Sequence, residues 1–175
     1  MNTILVAFDD NRVIGDQGKI PWHIPEDLHL FKQRTMGHAI VMGAKTFQTL
    51  PPNGLPGRLN IVLHRPPSPF DLPFVGHYTA EEGVVHLWED IMAAIGFVKV
   101  WGMTKRGRNE DVFIIGGGQI YKSAMEDEVV DKILVSKIHG THNGDVTFPY
   151  IPPERWVETV LEKRDQFDIV QYERR

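Results

Sequence analysis

Apolar residues fall in short runs along the chain, separated by polar, glycine-bearing or proline-bearing stretches, and the spacing within those runs predicts the elements. Residues 2–8 (Asn2-Thr3-Ile4-Leu5-Val6-Ala7-Phe8) are almost wholly apolar and partly β-branched, the pattern of a strand buried on both faces. Ala39 to Met42 and Val112 to Ile115 also read as buried strands, and Leu59 to Leu63 and Val130 to Ile138 as further strands. Ile24, Leu28 and Phe31 instead recur at i, i+4, i+7 and predict a helix over 25–35, with Pro25 suited to its first turn, where the missing N–H costs nothing. Ala44 to Leu50 predicts a short helix stopped by Pro51-Pro52, and a further helix runs from Gln119 to about Met125. Residues 88–105 carry a helical pattern (Trp88, Ile91, Met92, Ile95, Val98, Trp101) weakened by Gly96 and Gly102. Phe74 to Tyr78 and Val84 to Leu87 are candidate short strands beside a stretch rich in proline and glycine. Trp156 to Glu162 and Phe167 to Glu173 alternate and predict a closing antiparallel pair.

Strands alternating with helices imply an α/β fold: a mainly parallel central sheet with an antiparallel C-terminal end and flanking helices. In such sheets ligands bind beyond the carboxyl ends of the strands. Three segments fall there: 9–24 after the first strand, 43–46, and 116–119. The first is long for a compact domain, with Gly15 and Gly18 as flexible points, and its apolar members Ile14, Ile20 and Trp22 point to an active-site cover rather than a disordered linker.

The remaining bulk properties narrow the class. At 175 residues the chain forms one domain. A net charge of −4 leaves no nucleic-acid footprint, and the one basic cluster, Lys105-Arg106-Gly107-Arg108, is followed by Glu110-Asp111 and reads as a solvated loop. There is no cysteine, which excludes a disulfide scaffold and any cysteine nucleophile or metal ligand. Met1 to Phe8 has no basic flank and runs into Asp9-Asp10, so it reads as a strand and not a signal peptide. The apolar run from Ile91 to Met103 contains Lys99 and is too short to span a bilayer. The expectation is a cytoplasmic protein, monomeric, with no membrane or nucleic-acid partner.

Asp27 edges the apolar face of the 25–35 helix, where a carboxylate is costly unless a hydrogen-bonding or cationic group meets it. Gly116-Gly117-Gly118, between a strand and a helix, suits close approach of a pyrophosphate to a helix N-terminus, or equally a tight packing turn. The dinucleotide fingerprint G-x-G-x-x-G fails there, because the third position is Tyr121. Gly43-Ala44-Lys45-Thr46 repeats the strand-to-helix logic without the upstream glycine of a P-loop. Arg58 is a candidate for bidentate carboxylate recognition and Arg65 for a phosphate contact, although either could be a solvated surface arginine. His139-Gly140-Thr141-His142 has metal-like spacing but no third ligand in register, and no metal site is expected. Asp27 is the one acid in the predicted cleft, which argues against a two-carboxylate hydrolase.

In this order these pieces resemble dihydrofolate reductase. The resemblance rests on Val13-Ile14-Gly15, Ile20-Pro21-Trp22, then Asp27, Phe31 and Thr35; on Val41-Met42-Gly43, Lys45-Thr46-Phe47, Leu55-Pro56-Gly57-Arg58 and Asn60-Ile61-Val62-Leu63; and on Ile115-Gly116-Gly117-Gly118-Gln119-Ile120-Tyr121, Gly144-Asp145-Val146-Thr147-Phe148-Pro149 and Trp156. It spans essentially the whole chain. It implies NADPH-dependent reduction of 7,8-dihydrofolate to tetrahydrofolate, by hydride transfer to pterin C6 with protonation at N5, in a single domain with an adenosine-binding lobe at about 38–108.

By that resemblance Asp27 takes the pterin 2-amino group and ring N3, and its charge favours protonation at N5. Water reached through the 9–24 loop is the proton donor, with Ile20 and Trp22 controlling access. Ser136 bonds Asp27. Leu5, Ala7, Leu28, Phe31, Leu50, Leu55 and Ile115 line the pterin and aminobenzoyl pocket, and Arg58 pairs with the α-carboxylate of the glutamate tail. For the cofactor, Lys45-Thr46 and Gly117-Gly118-Gln119-Ile120 hold the pyrophosphate, while Ala7, Ile14 and Ile115 bracket the nicotinamide. Gly15, Gly43, Leu63, Gly116 and Tyr121 complete the cofactor set, with His64 and Arg65 at the 2′-phosphate. A cis peptide is implied at Gly116-Gly117.

The chain departs from the family pattern in places. Ala44 replaces a basic residue common beside the 2′-phosphate, Ile20 stands where methionine or leucine is frequent, Val146 interrupts the usual acid–threonine step after Asp145, and residues 66–110 form a longer segment. Two other readings compete: a deaminase-linked pyrimidine or pterin reductase of the same fold, and a catalytically silent nucleotide-binding protein. Neither accounts for Trp22, Asp27 and Arg58 together.

Overall fold

The computed structural model describes residues 1–64, 85–104 and 111–175, with backbone alone at 85–87 and 101–104. The expected strand at Phe74–Tyr78, the basic loop at 105–108 and Arg65 lie outside the described residues. No helix among the described residues is long and apolar enough to cross a membrane.

The strands are β1 (Asn2–Phe8), β2 (Val13–Gly15), β3 (Ala39–Gly43), β4 (Leu59–Leu63), β5 (Val85–Trp88), β6 (Val112–Gly116), β7 (Lys132–Ile138), β8 (Val146–Thr147), β9 (Trp156–Lys163) and β10 (Phe167–Arg174). The helices are α1 (Pro25–Thr35), α2 (Ala44–Phe47), α3 (Ile91–Thr104) and α4 (Gly118–Glu126). Eight strands form one sheet in the order β5-β4-β3-β6-β1-β7-β10-β9, and β2 pairs with β8 in a small second sheet. β5 through β7 are parallel neighbours, while β10 runs antiparallel to both β7 and β9. This is the mainly parallel sheet with an antiparallel C-terminal end that the sequence predicts.

Alternation along the central strands divides the core between the two sheet faces. Ile4, Val6 and Phe8 of β1 and Ile114 of β6 pack with Ile91, Ala94, Ile95 and Val98 of α3 and Tyr121 and Ala124 of α4. On the opposite face, Leu5 and Ala7 of β1 and Phe113 and Ile115 of β6 meet Ile24 and Phe31 at α1. Phe113 and Ile115 also pack with Phe47, Leu50 and Leu55. These two residues therefore form the seam between two apolar clusters.

Two expected boundaries move. Trp88 belongs to β5, opposite Leu63, and not to the following helix. Asp90 caps that helix: its Oδ1 accepts the Ala93 N–H at 2.8 Å, so the helical pattern begins at Ile91. The 9–24 segment is also not structureless. It contains β2, and beyond it Asp16 and Lys19 exchange both backbone hydrogen bonds (2.8 and 2.9 Å) around Gln17-Gly18, both at positive φ, the geometry of a two-residue hairpin turn.

Candidate active site

The carboxyl ends of β1, β3, β4, β6 and β7 share one edge of the sheet, and the site is built there. The β1–β6 ladder stops after Ile4 and Ile114, whereas the β1–β7 ladder continues to Phe8 and Lys137. β1 and β6 thus fork beyond Ile4. The buried Tyr121 hydroxyl enters the fork and donates to the Leu5 carbonyl oxygen at 3.1 Å, satisfying an acceptor the ladder leaves open. Burial pushes the pKa of that hydroxyl far above its ordinary value, so it stays a donor. Ala7 and Ile115, on either side of the fork, are half-buried.

Asp27 stands in the first turn of α1, where the helix dipole favours an acid. It is half-buried, and desolvation raises its pKa above the ordinary carboxylate value; a hydrogen bond from Ser136 and the charge of Arg34 act in the opposite direction. Ser136 is buried on β7 directly beside Ala7. Asp27 therefore lies over the β1–β7 pair at one end of an apolar cleft. Leu5, Ala7, Phe113 and Ile115 form the floor, Phe31 of α1 one wall, and Phe47, Leu50 and Leu55 the other. Leu5 is the most deeply buried of the expected lining residues at 5 % exposure. Leu28, expected on the apolar face of α1, is 49 % exposed and sits at the rim.

Arg58 is buried, not a solvated turn residue. Its Nε donates to the Pro56 carbonyl at 3.0 Å and Nη1 to the Thr35 hydroxyl at 3.3 Å. Thr35 in turn donates to the Phe31 carbonyl at 2.8 Å, so one wall of the cleft orients the guanidinium. Among the described residues no carboxylate pairs with Arg58, and desolvation alone lowers its pKa. It is an oriented cation with no anionic partner.

The two glycine-bearing loops meet. A Cβ on Gly43 would stand 3.0 Å from Ile120 Cγ1, and one on Gly117 would stand 3.2 Å from Thr46 Oγ1. The Gly116-Gly117 peptide is cis. Gly117 caps α4 without a side-chain hydrogen bond, and no acid stands in the first turn of α4. Its leading N–H groups therefore have no side-chain cap, at the turn where Gly117 approaches Thr46, with Lys45 and Gln119 exposed. His64, past the end of β4, has a buried Nδ1 without a hydrogen-bond partner among the described residues. Gly43 and Leu63 are buried at their strand ends.

The covering segment is anchored by the 144–148 loop. Val13 and Gly15 pair with Thr147 and Val146, Asp145 N–H donates to the Gly15 carbonyl at 3.1 Å, and Asp145 Oδ1 accepts the Gln17 N–H at 3.2 Å. Val146 accommodates this pairing, since the ladder uses backbone groups. Ile14 and Val146 both reach the open side of Gly118. Ile20 is 59 % exposed on the cover, while Trp22 is half-buried.

Several participants escape the sequence reading. Phe113 and Phe47 line the cleft, and the V-F-I-I-G alternation of β6 placing Phe113 with Ile115 was the available signal. Arg34 acts on Asp27 from two turns along α1. Asp9 is completely buried and accepts the N–H groups of Asn11, Val13 and His142. His142 Nδ1 lies 3.3 Å from Asp9, and its ring meets Trp22 edge-on at 5.0 Å. His139 pairs instead with Asp168, so the two histidines go to separate carboxylates.

Comparison with known proteins follows the same outline. The profile of the family described as dihydrofolate reductase matches residues 1–174. The chain is 33 % identical over 175 residues to the dihydrofolate reductase HdrB of Haloferax volcanii, covering 98 % of this chain and 82 % of that protein. It is 34 % identical to the dihydrofolate reductase of Bacillus subtilis (89 % and 80 % covered) and 35 % identical to that of Staphylococcus haemolyticus (92 % and 84 % covered).

Proposed function

The chain belongs to the dihydrofolate reductase family, and on that premise we propose that it reduces 7,8-dihydrofolate to tetrahydrofolate with NADPH. The observation that carries this reading is the pair of charges at the two ends of one apolar cleft: Asp27 held by Ser136, and Arg58 held by Thr35 and Pro56. A flat ring with an amino-and-imino edge, an aromatic middle and a carboxylate tail satisfies both.

In this reading the Asp27 carboxylate accepts hydrogen bonds from the 2-amino group and N3 of the pterin. Its partly desolvated charge strengthens those bonds and favours a proton at N5. Asp27 acts on N5 through its field, and the proton comes from water admitted past Ile20 and Trp22. Leu5, Ala7 and Ile115 flank the pterin; Phe31, Leu50 and Leu55, with Leu28 at the rim, hold the aminobenzoyl ring. Arg58 receives the α-carboxylate of the tail.

The residues present fit the cofactor. Gly43 and Gly117 let the two loops approach more closely than a Cβ would allow, the α4 N-terminus has no side-chain cap, and among the described residues the buried His64 Nδ1 lacks a partner. Lys45, Thr46, Gly117, Gly118, Gln119 and Ile120 would hold its pyrophosphate, while His64 and Lys45, with Arg65, would take the 2′-phosphate. Ala7, Ile14 and Ile115 would enclose the nicotinamide, with Gly15, Gly43, Leu63, Gly116 and Tyr121 completing the cofactor surface. When bound, NADPH supplies the hydride; the protein supplies orientation and a water-restricted field.

Dihydrofolate-dependent loss of reduced-nicotinamide absorbance tests the proposal. The parent protein is expected to consume NADPH only with dihydrofolate present. Asp27→Asn should lower turnover by about a hundredfold or more at neutral pH with NADPH binding retained. Equal turnover in the two proteins would remove Asp27 from the chemistry, and NADPH consumption with a pyrimidine substrate but not dihydrofolate would overturn the assignment.

A further inference from the structure

A cavity of about 760 Å³ lies outside the proposed substrate and cofactor cleft. It lies between α4 and the 147–156 segment, with Arg174 of β10 at its wall and Gly118 as its point of contact with the cofactor side. Four cations line it: Arg12, Lys122, Arg155 and Arg174. Glu126 also lines it, 3.8 Å from Lys122, and Glu128 pairs with Arg155. Two acids against four cations leave two positive charges without compensation, in a chain whose net charge is −4.

The uncompensated pair consists of Arg12 and Arg174, and both are positioned. The Arg12 guanidinium sits 5.6 Å over the Tyr150 ring and the Arg174 guanidinium 5.2 Å over the Trp156 ring. Arg174 Nε donates to the Val130 carbonyl at 2.8 Å, while Arg12 Nη1 makes a long contact of 3.4 Å to the Phe148 carbonyl. Among the described residues neither guanidinium forms an ion pair, although the charge of Arg174 reaches Glu128. Planar guanidinia held on aromatic faces with donor edges still available match the oxygens of a phosphate. A second cavity of about 520 Å³ shares Arg12, Tyr150 and Trp156, but Asp10, Glu158 and buried Asp9 balance its cations. Only the first has an excess of one sign.

Arg12 also connects this cavity to the active-site cover. It sits in the β1–β2 turn at φ 61°, a left-handed conformation uncommon for a long side chain. Its carbonyl accepts the Phe148 N–H at 2.7 Å, immediately beside the Val13–Thr147 pairing that anchors the cover.

We propose that this cavity is a binding site for a small phosphorylated polyanion, engaged by Arg12 and Arg174 with Lys122 and Arg155, and that its occupancy is felt at the 9–24 cover through Arg12. The test uses inorganic pyrophosphate as probe, titrated calorimetrically into the protein saturated with NADPH so that the proposed cofactor site is filled. Lys122→Gln/Arg155→Gln, two exposed positions, should weaken binding by about tenfold or more, as loss of charge-assisted contacts requires. Lys45→Gln should leave this binding unchanged. In amide and indole nuclear magnetic resonance spectra, the Trp156 indole, Thr147 and Val13 should shift on titration. No binding by the saturated protein overturns the site, as do equal affinities of parent and double variant or shifts confined to Lys45–Thr46 and 117–120. Binding that leaves Val13 and Gly15 unmoved overturns the route through Arg12.

Discussion

Arg58 offers the most decisive single perturbation, because the structure separates what it does for the fold from what it would do for a ligand. Replacing it with methionine keeps the length of the stem and removes the guanidinium. Two internal hydrogen bonds disappear, to Pro56 at 3.0 Å and to Thr35 at 3.3 Å, but Thr35 retains its bond to Phe31. Against that loss stands the removal of a desolvated charge that no described carboxylate neutralises. The two effects oppose, so the stability of the free protein should change by no more than about 1 kcal/mol. Binding should respond more strongly. A carboxylate met by an oriented guanidinium makes charge-assisted bonds together worth about 2–3 kcal/mol at a partly open site, which is about 30- to 150-fold in affinity.

The assay is a two-by-two comparison of the parent and Arg58→Met, each binding dihydrofolate or dihydropteroate, the analogue without the glutamate tail. The parent should prefer dihydrofolate by that factor, and the variant should bind both ligands about equally, at the dihydropteroate level of the parent. NADPH affinity should be the same in both proteins. An unchanged dihydrofolate dissociation constant in the variant would refute the reasoning. So would an equal loss for both ligands, since that would mean the substitution deforms the cleft rather than removing a tail contact.

Other outcomes follow from the same geometry. Because burial raises the Asp27 pKa in the folded protein, the stability linked to its proton is present below the ordinary carboxylate value of 3.8 and is lost as pH rises through the raised value. Asp27→Asn should therefore melt at a higher temperature than the parent at neutral pH, with the advantage shrinking as the solution is acidified toward that range; a constant difference across pH would contradict it. Gly144→Ala would place a Cβ 2.6 Å from the Gly15 carbonyl oxygen and 2.3 Å from Val13 Cγ1, so it should release the cover and lower turnover while urea unfolding of the main sheet changes little. Tyr121→Phe leaves the buried Leu5 carbonyl without its partner and should cost about 1–3 kcal/mol in urea unfolding.

What was legible in the sequence were the features written into neighbouring residues. Pro25 marks the start of α1 and the i, i+4, i+7 apolar positions its first turns, and β3 and β6 are continuous apolar runs ending at a glycine. The errors arise where a distant partner decides. Trp88 fits either a strand or the helical pattern that follows, and Asp90 as cap together with pairing to Leu63 settles it. β2 and β8 are three and two residues long and pair Val13 with Thr147 and Gly15 with Val146, too short for periodicity to register. Asp9 and Asp10 look alike in sequence, yet one is completely buried under three backbone donors and the other is exposed. Arg58 reads as a surface arginine until Thr35, Pro56 and the wall of α1 are assembled around it.

These exceptions share a physical cause. A sheet that zipped fully between β1 and β6 would bury Ala7 and Ile115 and close the cleft. The chain prevents this by ending the ladder at Ile4 and Ile114 and giving the Leu5 carbonyl to Tyr121. The fork leaves half-buried apolar side chains at the strand ends, and α1 sets Asp27 beside them, where its charge is disfavoured. Arg58 stands at the other end with its charge likewise unmet. Each feature costs stability in the free protein and would be relieved by a ligand with an apolar body, a donor edge and an anionic tail. The same complementarity predicts cooperativity: filling one end of the cleft excludes water from the other and strengthens the remaining charged contact. Removal of Arg58 should therefore weaken the field of Asp27 on a bound pterin, and Arg58→Met should lower the hydride-transfer rate at saturating dihydrofolate as well as the affinity.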